Sequence, residues 1–366
     1  MKKLGFGLMR LPVINGDQKN IDIEKFKAMV DEFLSRGFTY FDTAYVYHGG
    51  QSEVAFKEAV VKRYPRDAYT VTTKLPLFEK PDRAKMEAIF NTSLERMGLD
   101  YVDYYWLHAM NKEYTEYAEA SGAFEYMKEL KASGKAKHIG FSFHDNAEML
   151  EKIIVEHPEM EYVQLQINYL DWEDSWVQAR KCYEVAVKYN KEVIVMEPVK
   201  GGALANLPKS AAKIISDYNP TPSQASWAVR YAASFEKVIM VLSGMSTLEQ
   251  VLDNVSYMEN FVPLTEKEVE MLYKVAEKAK ASIPCTACRY CTDGCPMQIA
   301  IPDIFSVYNE YKRDIRKKNS AVEKYNEVLQ KSAKASECIG CESCTHHCPQ
   351  NLDIPRLLAE CALELE

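Results

Sequence analysis

The chain has 366 residues, ten of them cysteine, with 47% apolar and 27% charged residues; this is the composition of a folded globular protein and excludes disordered, collagen-like and coiled-coil chains. Its length exceeds one ordinary domain and suits a barrel of about 250 residues with an appended module. A formal charge of -8 offers nucleic acid or an anionic membrane surface no basic face, and the apolar runs fall short of a membrane span or a secretory signal, so a cytoplasmic protein with neither kind of partner is expected.

Up to Met245, short β-branched or aromatic runs alternate with longer segments of helical periodicity, the pattern of parallel strands joined by crossover helices. Eight strands are expected: Leu4–Met9, Thr39–Thr43, Tyr69–Lys74, Tyr101–His108, His138–Ser142, Tyr162–Ile167, Glu192–Met196 and Val238–Leu242. Helices are expected at Asp22–Arg36, Glu53–Tyr64, Ala84–Met97, Ala123–Ser133, Ala147–His157, Trp176–Tyr189 and Ser223–Ser234. Together they spell an α/β fold, a (β/α)₈ TIM barrel. A Rossmann sheet is the alternative, but no G-x-G-x-x-G lies between a strand and a helix, and Gly5-Phe6-Gly7 falls inside the first strand.

Barrel chemistry collects at the C-terminal ends of the strands. There the sequence places Asp42 with Tyr47 in the following loop, Lys74, His108, Ser142, and Gln166 with Asn168. Any one of these alone reads as a residue that satisfies buried backbone groups. Four ionisable groups on three neighbouring strands point to a site.

Thr247–Tyr257 and Thr265–Ala281 read as further helices, and the cysteines follow: nine of the ten lie at or beyond Cys285. Two segments repeat one another, Cys285-Thr-Ala-Cys288-Arg-Tyr-Cys291-Thr-Asp-Gly-Cys295-Pro296 and Cys338-Ile-Gly-Cys341-Glu-Ser-Cys344-Thr-His-His-Cys348-Pro349. Between them Ile304–Arg316 and Ala321–Ala335 read as a helical spacer. C-x₂-C-x₂-C-x₃-C-P is the spacing in which three thiolates hold one [4Fe–4S] cubane while the fourth ligates the other. Applied here, one cluster takes Cys285, Cys288, Cys291 and Cys348, and the second takes Cys338, Cys341, Cys344 and Cys295. Tetrahedral zinc also uses four cysteines but usually pairs two C-x₂-C knuckles. Cys182 and Cys361 fit neither motif and read as buried or incidental thiols, and His346 and His347 sit between ligands without replacing them. The boundaries implied are 1–260 for the barrel, 261–283 for a linking helix and 284–366 for a mainly helical cluster domain.

This tail resembles the dicluster ferredoxin domain in its helical variety. The barrel resembles the aldo-keto reductase family through Gly37-Phe-Thr-Tyr-Phe-Asp42-Thr-Ala-Tyr-Val-Tyr47-His-Gly-Gly-Gln-Ser-Glu53, Thr73-Lys74, Met97-Gly-Leu-Asp-Tyr-Val-Asp-Tyr-Tyr-Trp-Leu-His108 and Gly134-Lys-Ala-Lys-His-Ile-Gly-Phe-Ser142. The resemblance implies a catalytic tetrad at Asp42, Tyr47, Lys74 and His108. A phenol with a pKa of about 10 is a reluctant proton donor; a lysine held by an aspartate stabilises its anion, and a histidine orients the carbonyl oxygen and supports its developing charge.

The same resemblance implies NAD(H) or NADP(H), with Ser142 and Gln166 on the nicotinamide carboxamide and His144 where an Asn is frequent. Met196 takes the place of a stacking tyrosine. Ser243 and Gly244 begin the stretch Ser243–Gln250, which holds no Lys or Arg for a 2′-phosphate; phosphate dianions usually find such partners, and this favours NADH or another redox partner over NADPH. Gly201, Gly202 and Gly244 could bring backbone amides to a phosphate.

Hydride transfer moves two electrons and each cluster takes one, so a flavin is a further cofactor that could convert between them. The function expected is carbonyl–alcohol interconversion on a small molecule, coupled through two clusters to a ferredoxin-like partner. The alternative is an electron-transfer subunit or a flavin-dependent oxidoreductase whose barrel binds a ligand or partner without nicotinamide-dependent carbonyl reduction.

Overall fold

The computed structural model describes residues 2–280, 283–292, 294–313 and 315–366. Eight parallel strands close in sequence order into a barrel: β1 (Leu4–Gly7), β2 (Tyr40–Asp42), β3 (Thr70–Pro76), β4 (Val102–Met110), β5 (Ala136–Phe143), β6 (Tyr162–Gln166), β7 (Glu192–Met196) and β8 (Val238–Gly244), with β8 pairing back onto β1. This is the (β/α)₈ architecture that the alternating pattern implies. Closure leaves no exposed edge, and crossover helices of the barrel unit lay apolar stripes against the outer face of the strands. Between Ile23 and Ser35, for example, Phe26, Met29, Val30 and Phe33 are the buried stripe, and Asp22 caps the helix by accepting from the Lys25 amide.

Tyr40, Tyr104, Trp106, Ile194, Met240 and Leu242 form one cluster contributed by β2, β4, β7 and β8, so bulky side chains fill the space between the strands. Gly140 on β5 shows how tight this is. A Cβ there would lie 2.3 Å from the Tyr162 carbonyl oxygen and 2.7 Å from the Trp106 ring, so a side chain would displace one or the other.

Several elements differ from the sequence expectation. The first strand stops at Gly7 and passes into a 3₁₀ turn, Leu8–Arg10. Beyond Phe56 the expected helix loosens into a π turn, Lys57–Val61. Lys112–Ser121 and Lys209–Tyr218 are helices that periodicity did not single out; the first is mostly exposed, with only Thr115 and Ala118 buried, so its apolar stripe is too thin to read. The helix expected to end at Ala281 runs over Glu266–Ala279; Ala281 itself lies outside the described residues.

Two compact units emerge, one comprising Met1–Pro198 and Ala225–Val269, the other Val199–Gln224 and Glu270–Glu366. The second contains the cysteine repeats. Its helices Ile301–Arg313, Lys318–Leu329 and Ile354–Leu365 surround an apolar core that includes Ile299, Ile301, Ile304, Phe305, Tyr308, Tyr325, Leu357 and Leu358. Among the described residues no helix is long and apolar enough to cross a membrane.

Candidate active site and cluster ligands

In the barrel unit the tetrad residues sit on three adjacent strands and one loop. Register aligns Asp42 on β2 with Thr72 on β3, and Lys74 and Pro76 on β3 with Trp106 and His108 on β4. Lys74 and His108 therefore come two residues before the ends of their strands rather than at the last position. Lys74, 1% exposed, donates from Nζ to Oδ1 of Asp42 at 2.6 Å and to the Thr43 carbonyl at 2.8 Å. Its ammonium lies 5.0 Å from the centroid of the Tyr47 ring, and that ring meets the His108 imidazole edge-on at 5.9 Å. All four side chains thus converge.

The loop that delivers Tyr47 is wound left-handed just after it: His48, Gly49 and Gly50 have φ of 53°, 61° and 90°. His48 pins the turn. Its Nε2 accepts from the Leu11 amide at 3.3 Å, and its Nδ1 lies 2.7 Å from the Gln18 carbonyl. Behind Lys74, the buried Glu53 carboxylate accepts from Thr73 Oγ1 at 2.6 Å and from Arg96 at 3.2 Å.

The charge states follow from burial. Burial pushes the Asp42 carboxyl up and the Lys74 ammonium down, while their mutual attraction opposes both shifts. His108 is driven well below its ordinary value by burial, with the Lys74 charge and His144 adding to the effect. It stays neutral near pH 7 and offers one N–H. His144 follows β5 and is likewise pushed down by burial, to about 4.

The nicotinamide candidates occupy the ends of β5 to β8. The Ser142 hydroxyl accepts from the Ala109 amide at 2.8 Å. Ala109 has φ of 60°, at the irregular pairing between Leu107 and Met110, a bulge of the kind that re-aims backbone near a site. Gln166 donates to Asp171 at 2.7 Å. Met196 is the last residue of β7, and Ser243 accepts from Asn254 at 2.7 Å.

Two residues escaped sequence reasoning. Asp171 is 2% exposed and stands five residues beyond Gln166, at no periodic spacing that would mark it. Arg10 lies beside this stretch: its side chain runs next to Gly244, where a Cβ would lie 3.1 Å from Arg10 Cδ, and Ser246 Oγ donates to the Arg10 carbonyl at 2.7 Å. Only closure of β8 onto β1 brings it there, so a search along the eighth strand's own loop could not find it.

In the second unit the cysteine repeat extends into the backbone. Ala287 and Gly340, Arg289 and Glu342, and Gln298 and Asn351 occupy matching places in the two motifs, and all six have positive φ between 47° and 68°. Left-handed residues of this kind turn successive N–H groups toward one centre and make a nest for negative charge; the Ala287 amide already donates to Cys285 Sγ at 3.4 Å. The third cysteine of each motif, Cys291 or Cys344, is buried. Each repeat then opens a helix at Ile-Pro, Ile301 and Ile354.

Cys291 is pushed far up by burial and by the neighbouring Cys288, Cys285 and Cys348 thiols, with Cys344 also in reach. A pocket is lined by Cys295, Cys338, Cys341 and Cys344 together with Pro296, Met297, Ile299 and Leu358. Four thiolates in so apolar a space need a compensating cationic core, which fits an iron–sulfur cluster. Cys361 is fully buried at the place in the second repeat that Tyr308 holds in the first, and Cys182 is 3% exposed; both are packing residues.

The segment Val199–Gln224 belongs to this unit. Gly201, at φ 62°, approaches the first cysteine loop so closely that a Cβ would lie 2.4 Å from the Thr286 carbonyl oxygen, and the buried Lys200 reaches Gln350 at 3.4 Å. The absence of a side chain at Gly201 is what lets the loop next to Cys285 approach it.

Residues 3–277 match the model of the aldo/keto reductase family, and residues 284–352 that of the 4Fe-4S dicluster domain. Among curated relatives, an aldo-keto reductase of Mycolicibacterium smegmatis is 28% identical over 72% of this chain and 86% of its own length. An NADH-specific methylglyoxal reductase of Escherichia coli is 24% identical over 76% of this chain and 95% of its own. Among solved structures, the holo form of the aldo-keto reductase AKR11C1 from Bacillus halodurans superposes with a TM-score of 0.62 at 25% identity, covering 76% of this chain and 93% of that one. The chain therefore belongs to the aldo-keto reductase family and carries a 4Fe-4S dicluster domain after its barrel.

Proposed function

We propose that the protein interconverts a small carbonyl compound and its alcohol at the barrel site, with Tyr47 as the proton donor and acceptor, and exchanges the electrons with a one-electron carrier through two [4Fe–4S] clusters. The observation that carries this reading is the fully buried Lys74–Asp42 pair, 2.6 Å apart, beside Tyr47 and His108. A buried ion pair is costly to keep. Here its positive end faces a phenol that must release a proton.

Tyr47 Oη would give its proton to the carbonyl oxygen as that oxygen gains charge, and Lys74 would hold the phenolate left behind. Asp42 fixes the ammonium and prevents burial from discharging it. Neutral His108 would donate its one N–H to the same oxygen, orienting the carbonyl and sharing the developing negative charge. Ser142 and Gln166 would hold a nicotinamide carboxamide, with Met196 against the ring and Ser243, Gly244 and Arg10 on the phosphate side. A nicotinamide, when bound, supplies or removes hydride, and each cluster carries one electron.

Cys285, Cys288, Cys291 and Cys348 would hold one cluster and Cys338, Cys341, Cys344 and Cys295 the other. Two clusters together would take the two electrons of one alcohol oxidation through a group that splits hydride into single electrons, the chemistry a bound flavin would supply. The Cys338–Glu342 loop would face the carrier: Cys341 is the exposed cysteine, and Ile339 beside it is 64% exposed.

Anaerobically purified protein tests the reading. Iron and sulfide should reach about eight each per chain, and NADH or NADPH should be consumed with methylglyoxal as the trial carbonyl, given the reductase relative. Zinc in place of iron would remove the electron-transfer half. Inertness with both nucleotides and several carbonyls, clusters intact, would favour an electron-transfer subunit instead.

A further inference from the structure

The two cysteine motifs match in backbone and differ in charge. Positive φ recurs at Ala287 and Gly340, Arg289 and Glu342, and Gln298 and Asn351, so the amides that each loop turns inward contribute alike to both. The side chain that follows the second cysteine does not: it is a guanidinium in one motif, Arg289, and a carboxylate in the other, Glu342. Asp303, in the first turn of the helix Ile301–Arg313, accepts from Arg289 at 2.6 and 2.9 Å. Its counterpart in the second motif is Arg356, which pairs with Asp353 and Glu360 rather than with Glu342.

Each charge lies against its own set of thiols. Asp303 strengthens the guanidinium's hold on its proton, and Cys291 and Cys285 add to it, so the half-buried Arg289 acts on two of the ligands assigned to the first cluster. Glu342 stands in the wall of the pocket formed by Cys295, Cys338, Cys341 and Cys344, and none of the described residues that line it is basic. A cluster gains one negative charge when it takes an electron. A nearby cation stabilises that state and raises the reduction potential, and an anion lowers it. Exposure of Cys341 works against the difference, because water favours added charge and screens Glu342, which leaves Arg289 with the larger share.

We propose that Arg289 and Glu342 make the two clusters unequal: the cluster on Cys285, Cys288, Cys291 and Cys348 takes an electron first, and the one on Cys338, Cys341, Cys344 and Cys295 is a low-potential relay. The inference rests on the two-cluster reading and deepens it by giving a single electron its resting place. A one-electron carrier that reduces the relay is itself oxidised by one electron, and that electron passes on to the first cluster; a second electron stays on the relay only when the first cluster is full. Opposite charges beside the two clusters are worth about tenfold or more in an equilibrium constant at the dielectric of a protein surface, and tenfold for one electron is about 59 mV.

The test is a dithionite titration of the anaerobic, iron-loaded protein in mediator solution, followed by visible absorbance and electron paramagnetic resonance. Wild type should show two one-electron steps about 59 mV or more apart. Arg289→Gln should lower the upper step and leave the lower one in place, and Glu342→Gln should raise the lower step and leave the upper. Asp303→Asn breaks the same ion pair as Arg289→Gln but keeps the cation, so it should raise the upper step, whereas a merely structural role for the pair would shift both variants alike. If Arg289→Gln does not hold iron, Glu342→Lys, at an exposed position, must still raise the lower step. One unresolved step in wild type, an upper step indifferent to the change at Arg289, or a lower step indifferent to the change at Glu342 overturns the inference with both clusters in place. Protein with about four irons or none, or with zinc, overturns the two-cluster reading and the inference with it.

Discussion

Replacing Lys74 by methionine isolates the charge at the centre of the proposed chemistry, because the side chain keeps its approximate length and loses only the ammonium. The ammonium stands 5.0 Å from the Tyr47 ring centroid. At an effective dielectric of about 20, a unit charge at that distance favours the phenolate by roughly 3 kcal/mol, a factor of about 10². The Asp42 carboxylate, 2.6 Å from the ammonium, offsets part of this, so Lys74→Met should lower kcat/KM for the trial carbonyl by between about tenfold and hundredfold. The limb of the pH–rate profile set by Tyr47 should move to more alkaline pH, because the phenolate has lost its support. Asp42 would be left buried without its partner, at a cost of about 3–5 kcal/mol if it stayed ionised; since burial already pushes its carboxyl up, it can take a proton and escape part of that cost. The assay is steady-state turnover across pH on anaerobic protein, with iron content and thermal melting as controls. A folded, cluster-loaded Lys74→Met enzyme within threefold of wild type, with an unmoved pH profile, would refute the role given to the ammonium.

Three further outcomes follow from the geometry. Gly201→Val places a side chain against the Thr286 carbonyl at a backbone φ of 62°, so holo protein should lose its clusters at a lower temperature, by visible absorbance, than wild type; equal melting would mean the loop yields freely. Exchange of the fourth cysteines predicts that Cys285→Ala/Cys348→Ala keeps about four irons, whereas Cys341→Ala/Cys348→Ala keeps few; the reverse pattern would show that each motif fills its own cluster. His108 is held neutral by burial, whereas the unfolded imidazole titrates near pH 6.5, so the unfolded state binds the extra proton and stability, full above about pH 6.5, declines below it. His108→Gln should flatten that decline by one proton's worth in melts from pH 7.5 to 5.5, with the contribution of His144 remaining; an identical slope would contradict the neutral assignment.

The barrel was legible because parallel strands buried on both faces leave short β-branched runs, and because polar residues at their ends interrupt an otherwise apolar pattern. Asp42, Lys74 and His108 stood out for that reason. The cysteine spacing carried the two clusters almost unaided, and the matched left-handed residues at Ala287 and Gly340 and at Arg289 and Glu342 show that the repeat is one of backbone shape as well as of sequence. What was not legible depends on contacts between distant parts of the chain. Arg10 reaches Gly244 only after the barrel closes, Asp171 matters only once the loop beyond β6 folds back on Gln166, and Gly201 acquires its purpose from Thr286. None of these carries a periodicity or a local motif.

Tyr47→Phe tests the central claim most directly. The substitution deletes one oxygen, leaves Lys74 paired to Asp42, and touches no cysteine. Measured anaerobically against wild type, with NADH or NADPH and the same carbonyl, it should lower turnover by about 10²–10⁴-fold, the range expected for a lost general acid, while iron content, visible absorbance and nucleotide affinity stay as they were. Turnover near the wild-type rate in protein with intact clusters would contradict the account, and would place the proton chemistry on some other group.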